Sequence, residues 1–184
     1  ASGGTTAFIE SSSASATSDA IVVDSGVTVA DRDDVLSSAT VSITTNHVAA
    51  EDLLAFTNDG SSMGDIAGTY NATSGVLTLT SATGASAAQM EAALQAVTYR
   101  NSSETPTENT RTVRFIVNDG TENSVASTQQ VSVAASNDAG TVTASGGTTA
   151  FTESSSASAS GDAIVVDSGV TVAADRDGDN YSSA

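Results

Sequence analysis

Residues 1–30 read ASGGTTAFIESSSASATSDAIVVDSGVTVA, and residues 144–173 read ASGGTTAFTESSSASASGDAIVVDSGVTVA. The two stretches lie 143 residues apart, and only positions 9, 17 and 18 differ from their counterparts 152, 160 and 161. Each runs into an acidic cluster, Asp31-Arg32-Asp33-Asp34 in the first copy and Asp175-Arg176-Asp177-Gly178-Asp179 in the second. A near-identical recurrence at domain length predicts a tandem array, an organisation that serves reach, spacing or multivalency more often than chemistry. The expected units are a complete repeat over residues 1–136, a linker over 137–143 and the opening of a further repeat over 144–184. The last is too short to build its own core, since about 40 residues is the lower limit without metals, disulfides or a partner.

Between the two copies the pattern is that of short strands. Residues 5–10 are β-prone, with Phe8 as the anchor. Residues 11–18 are a Ser/Ala/Thr run without periodicity and read as a loop. Residues 20–23 and 27–29 are apolar, β-branched and split by Ser25-Gly26, an extended segment with a kink. Residues 39–44 alternate, with Val41 and Ile43 on one face, and residues 53–56 run into the turn Asn58-Asp59-Gly60. Residues 66–70 and 76–80 flank a turn and predict a hairpin, with Leu77 and Leu79 inward and Thr78 and Thr80 outward. Residues 111–117 and 125–133 predict a second hairpin, with Phe115, Val117, Val131 and Val133 in the core.

One stretch has helical period. Over residues 86–96, Ser86 and Gln89 have the spacing of a capping box, and Met90, Leu94 and Val97 fall on one face. The fold class is therefore mostly β, a sandwich with one short helix.

Composition narrows the function. There are 22 acidic residues against five basic ones, all Arg, for a net charge of −17. That balance argues against nucleic acid and anionic membrane surfaces and favours cations. No apolar run has the length of a membrane span. Without Cys there are no disulfides and no thiolate metal sites. His47, the single His, reads as structural. No spacing of Ser, His or carboxylates selects a catalytic pair, so no enzymatic activity is expected. Asp59 and Asp119 sit in Asn-Asp-Gly turns and are explained by turn chemistry. Asn71-Ala72-Thr73 and Asn101-Ser102-Ser103 match the glycosylation sequon.

The acidic clusters are the candidate site. Calcium takes about six to eight oxygens from carboxylates and carbonyls, and alternate residues of a loop can face one centre. Asp175, Asp177 and Asp179 alternate in this way. Asp31, Asp33 and Asp34 are the first copy's version, with Val35 in place of a third alternate acid. The competing reading is a solvated turn.

The early Glu10 and Glu153, the Asp-Arg-Asp loops and the Asn137-Asp138 junction together resemble the cadherin pattern. In that family such groups bind calcium between consecutive domains. The resemblance implies one set from Glu10, Asp31 and Asp33, a junction at Asn137 and Asp138, and a second set from Glu153, Asp175 and Asp177. The linker Ser136-Asn137-Asp138-Ala139-Gly140 departs from the family's, lacking its first Asp and its Pro. The repeat is also longer and holds a helix. VDSGVTVADRD (23–33), LAFTNDGSSMGDIAGTYNATSGVLTLT (54–80), MEAALQAVTYRNSSETP (90–106) and VRFIVNDGT (113–121) resemble the cadherin-like or Ig-like tandem modules of large bacterial surface proteins, the RTX-type adhesins. That likeness implies a secreted, cell-surface or biofilm location, neighbouring repeats as partners, and a calcium-stiffened extender. Two alternatives stay open. One is a fibre or matrix subunit joined by strand exchange through residues 144–184; the other is a calcium-dependent glycan-binding module.

Overall fold

A computed structural model describes residues 1–11, 20–32, 35–152, 163–173 and 177. They fall into two compact units, residues 1–136 and 137–184. In the first unit the strands are β1 (Thr5–Ile9), β2 (Ile21–Val22), β3 (Leu36–Thr45), β4 (Asp52–Ala55), β5 (Ala67–Asn71), β6 (Val76–Ala85), β7 (Thr98–Asn101), β8 (Arg111–Asn118) and β9 (Ser127–Ala134). Helix α1 (Ala87–Gln95) lies between β6 and β7.

These strands make two sheets, one in the order β1-β9-β8-β3-β6-β5 and one in the order β2-β7-β4. All pairs are antiparallel except β1 with β9, which run parallel from Thr5 opposite Gln130 to Ile9 opposite Ala134. The result is mostly β and sandwich-like. Val41, Leu77, Leu79, Val113, Phe115 and Val131 from the large sheet share a single core with Leu54 and Tyr99 from the small one. Phe8 and Tyr99 meet edge to face across the sheets, with ring centroids 5.5 Å apart, a preferred geometry for aromatic pairs.

Several local expectations are met. Ser86 caps α1, its hydroxyl accepting from Gln89 N–H while the Gln89 side chain accepts from Ser86 N–H. Met90, Leu94 and Val97 are buried. The 71–75 turn closes with Gly75 at φ +68°, and a Cβ there would come within 2.8 Å of the His47 ring. Gly75 is thus required both by its backbone and by the ring lying on it.

Two expectations shift. Val125 is exposed and β9 begins at Ser127, so the second hairpin's return strand starts two residues late. Val27 is buried and Val29 half-buried, but residues 27–29 form no strand. Their polar groups go to α1 instead: Val29 N–H donates to Glu91 Oε2 (2.8 Å), and Gln95 Nε2 donates to the Val27 carbonyl (2.8 Å). The helix supplies what a neighbouring strand would have supplied.

In the second unit, β10 (Thr141–Thr143) pairs antiparallel with β11 (Thr171–Ala173), Val142 opposite Val172. Part of the stretch read as linker is therefore strand.

Candidate functional site

Glu10 directly follows β1 and is buried; its N–H donates to the Ala134 carbonyl, and its Oε2 accepts from Ser136 N–H at 3.2 Å. The parallel pairing of β1 and β9 thus sets this carboxylate beside the end of the first unit. Asp31, half-buried, borders a surface cleft of about 220 Å³ together with Asp119 and Glu122. Asp119 is already engaged, accepting from Thr121 N–H (2.7 Å) and Glu122 N–H (2.8 Å), as turn chemistry predicts. These two bonds hold its carboxyl below the usual range. Asp59 does the same in its own turn with Ser61 and Ser62.

In the second unit Asn137 is exposed, its side-chain amide donating to the Asp138 carbonyl. Asp138 is 4% exposed, and its N–H donates to Asp177 Oδ2 at 2.7 Å. Both carboxylate oxygens of Asp138 and the second oxygen of Asp177 are sealed from solvent. The structure thus brings together two acids of the expected set that lie 39 positions apart. Asp33, Asp34, Glu153, Asp175 and Asp179 lie outside the described residues. Among the described residues, no three His, Cys, Asp or Glu side chains converge as a metal centre.

A second pattern recurs in both copies. Asp24 accepts from Ser2 N–H (2.6 Å), Ser2 Oγ (2.7 Å) and Gly26 N–H (2.8 Å). Asp167 accepts from Ser145 N–H (2.8 Å), Ser145 Oγ (2.5 Å) and Gly169 N–H (2.8 Å). Thr6 Oγ1 donates to the Val23 carbonyl (2.9 Å), and Thr149 Oγ1 to that of Val166 (2.6 Å). A Cβ on Gly26 would come within 2.9 Å of Ser2 Cβ, and one on Gly169 within 2.7 Å of Ser145 Cβ, so the clip needs glycine in both places. Burial pushes the Asp24 carboxyl up, but the bonds from Ser2 and Gly26 outweigh it and leave the group below its ordinary value. Asp167 is lowered by the bonds from Ser145 and Gly169.

The sequence reading missed a buried polar network. Asp52 Oδ1 accepts from Tyr99 Oη (2.6 Å), Asn101 Nδ2 (3.2 Å) and Arg111 Nε (3.2 Å), and Oδ2 accepts from Val48 N–H (2.8 Å). Arg111 is fully buried, and its Nη1 donates to the carbonyls of Thr107 and Asn109. Its Nη2 lies 3.2 Å from Asp52 Oδ1 and 3.7 Å from Glu51 Oε2. Burial and the bond to Asp52 push the Tyr99 hydroxyl well above its ordinary pKa. The signal was present in the phase of each strand. Arg111 alternates with Val113 and Phe115, Asp52 with Leu54, and Asn101 with Tyr99, so each polar residue falls on the inner face. This network is a staple joining the ends of β4, β7 and β8. Because Asn101 is buried within it, its glycosylation sequon is inaccessible in the folded protein.

No helix among the described residues is long and apolar enough to cross a membrane. Comparison with family models, with curated proteins and with solved structures finds no match.

Proposed function

We propose that this chain is a structural module of an extracellular bacterial adhesin or surface fibre, an extender whose repeat junctions are stiffened by calcium. The observation that carries the reading is the recurrence itself. A stretch repeated after 143 residues forms the same Ser–Asp–Gly clip each time. A repeat of this kind is a spacing device, because each copy adds length without adding chemistry.

Calcium is supported by the donor set. Asp138 and Asp177 meet through the Asp138 N–H and one Asp177 oxygen, and three of their carboxylate oxygens lie away from water. Like charges placed so are stabilised by a hard cation that accepts oxygen ligands. Glu10, Asp31 and Asp33 would serve the same ion chemistry in the first copy. Bound calcium would cancel part of the clustered negative charge and restrict motion between neighbouring repeats.

The test is thermal unfolding in millimolar calcium against excess EDTA, with magnesium as control. A ligand bound only by the folded state stabilises it by about 2.7 kcal/mol at a hundredfold excess over its Kd. The expected result is a calcium-selective rise in Tm that Asp138→Asn and Asp177→Asn each reduce. An unchanged Tm would reduce the acidic clusters to solvated turns and remove calcium from the proposal.

A further inference from the structure

The two copies of the repeated stretch have nearly the same sequence and the same clip but opposite surroundings. Phe8, Val23 and Val27 are 1%, 0% and 2% exposed, whereas Phe151, Val166 and Val170 are 58%, 81% and 49% exposed. What covers the first copy is known in detail. β1 lies along β9, β2 along β7, and Phe8 stacks on Tyr99. Gln129 Nε2 donates to Thr6 Oγ1, Val23 N–H to the Val97 carbonyl, and Gln130 N–H to the Gly4 carbonyl. Each group on the first copy that makes these contacts has an identical counterpart on the second: Gly147, Thr149, Phe151 and Val166 stand for Gly4, Thr6, Phe8 and Val23.

The one substitution between the copies that falls on described residues spares that face. Ile9, replaced by Thr152, is 64% exposed and points away from the body. The other two differences, at positions 17 and 18, lie outside the described residues.

We infer that residues 144–152 and 163–173 dock into the body of a second copy of this chain, occupying the slot that residues 1–9 and 20–30 fill and displacing them. β9 of the second copy gains Thr148–Thr152 residue for residue in place of Thr5–Ile9, and Phe151 takes the place of Phe8 against Tyr99. Repetition of the step joins chains head to tail, a heterologous contact that propagates. Closure onto the chain's own body would use residues 135–147 as the crossover of a parallel return along β9, about the dozen residues such a connection takes, and it is the competing outcome that the test separates. The inference does not rest on calcium or on an adhesin context.

The chain has no Cys, so single thiols report the docking directly. Ala7 lies opposite Ser132, and Ala150 is its counterpart in the second copy. Chains carrying Ser132→Cys and chains carrying Ala150→Cys are unfolded together, refolded over a series of protein concentrations and oxidised. The expected product is the mixed disulfide dimer, with a yield that rises with concentration. Phe8→Ala in the Ser132→Cys chain, which weakens the resident segment, raises the yield further. The wild-type background carries the test by itself if that variant fails to fold. Ala7→Cys with Ser132→Cys in one chain serves as the positive control for disulfide closure. A mixed-dimer yield no greater than that of Ser132→Cys with Thr73→Cys, an exposed turn position, overturns the inference. A chain with both Ser132→Cys and Ala150→Cys that closes on itself as a monomer overturns it equally, by placing residues 144–173 on their own body.

Discussion

Phe8 and Phe151 stand at the same place in the same sequence, and one is sealed against Tyr99 while the other faces water. Around both, the Ser–Asp–Gly clip is intact. The clip is therefore a local product of its own residues. The burial of the apolar side is not, because it needs β7 and β9 from elsewhere in the chain. The difference separates what a short segment can do alone from what it does only when a body is present.

The largest expected effect tests that separation at the aromatic itself. Phe8→Ala should destabilise the first unit by about 3–5 kcal/mol in urea unfolding, the range for truncating a buried Phe. Phe151→Ala should leave the transition within about 0.5 kcal/mol, as for an exposed site. Equal losses would mean that Phe151 is buried in solution, which is the outcome expected where exchange is populated.

The clip gives a smaller contrast. Asp24→Ala removes the acceptor of three hydrogen bonds in a buried place and should cost about 2 kcal/mol. Asp167→Ala should leave the unfolding of the first unit unmoved. The pH dependence follows the same logic. The Asp24 carboxyl is held below its ordinary value of 3.8 in the folded chain. Its contribution is complete above that value and is lost as the pH falls through the lower folded pKa. Stability measured below pH 3.8 should therefore fall less steeply in Asp24→Ala than in the wild type.

The smallest effect concerns Val27–Val29 and its twin at residues 170–172. Glu91→Ala with Gln95→Ala removes the two hydrogen bonds from α1 and should cost about 1–2 kcal/mol. Hydrogen exchange at the Val29 amide should quicken while exchange in β3 and β8 does not. Retained protection at Val29 would show that packing rather than the helix side chains holds this strip.

Much of the fold was legible in the sequence because its signals are local. The alternation in residues 76–80, the Ser86/Gln89 box and the Asn-Asp-Gly turns are set by neighbours a few positions apart, and each forms as written. The strip at 27–29 was not legible. The same Val-Thr-Val-Ala is tied to helix side chains at residues 27–30 and is strand β11 at Thr171–Ala173 after Val170. No local rule can yield both. Type and spacing single out the acids of the candidate site, but the meeting of Asp138 with Asp177 depends on how the chain returns between them.

The sequence by itself determined the repeat, the strand-forming segments, the helix cap and the acidic character, since these follow from composition and short-range geometry. Only the tertiary structure decided that Arg111 and Asp52 lie together in the core, that β1 runs parallel to β9, and that one copy of a repeated segment is covered while the other is bare. Those outcomes depend on contacts between residues far apart in the chain, and long-range packing is where burial and charge pairing are settled.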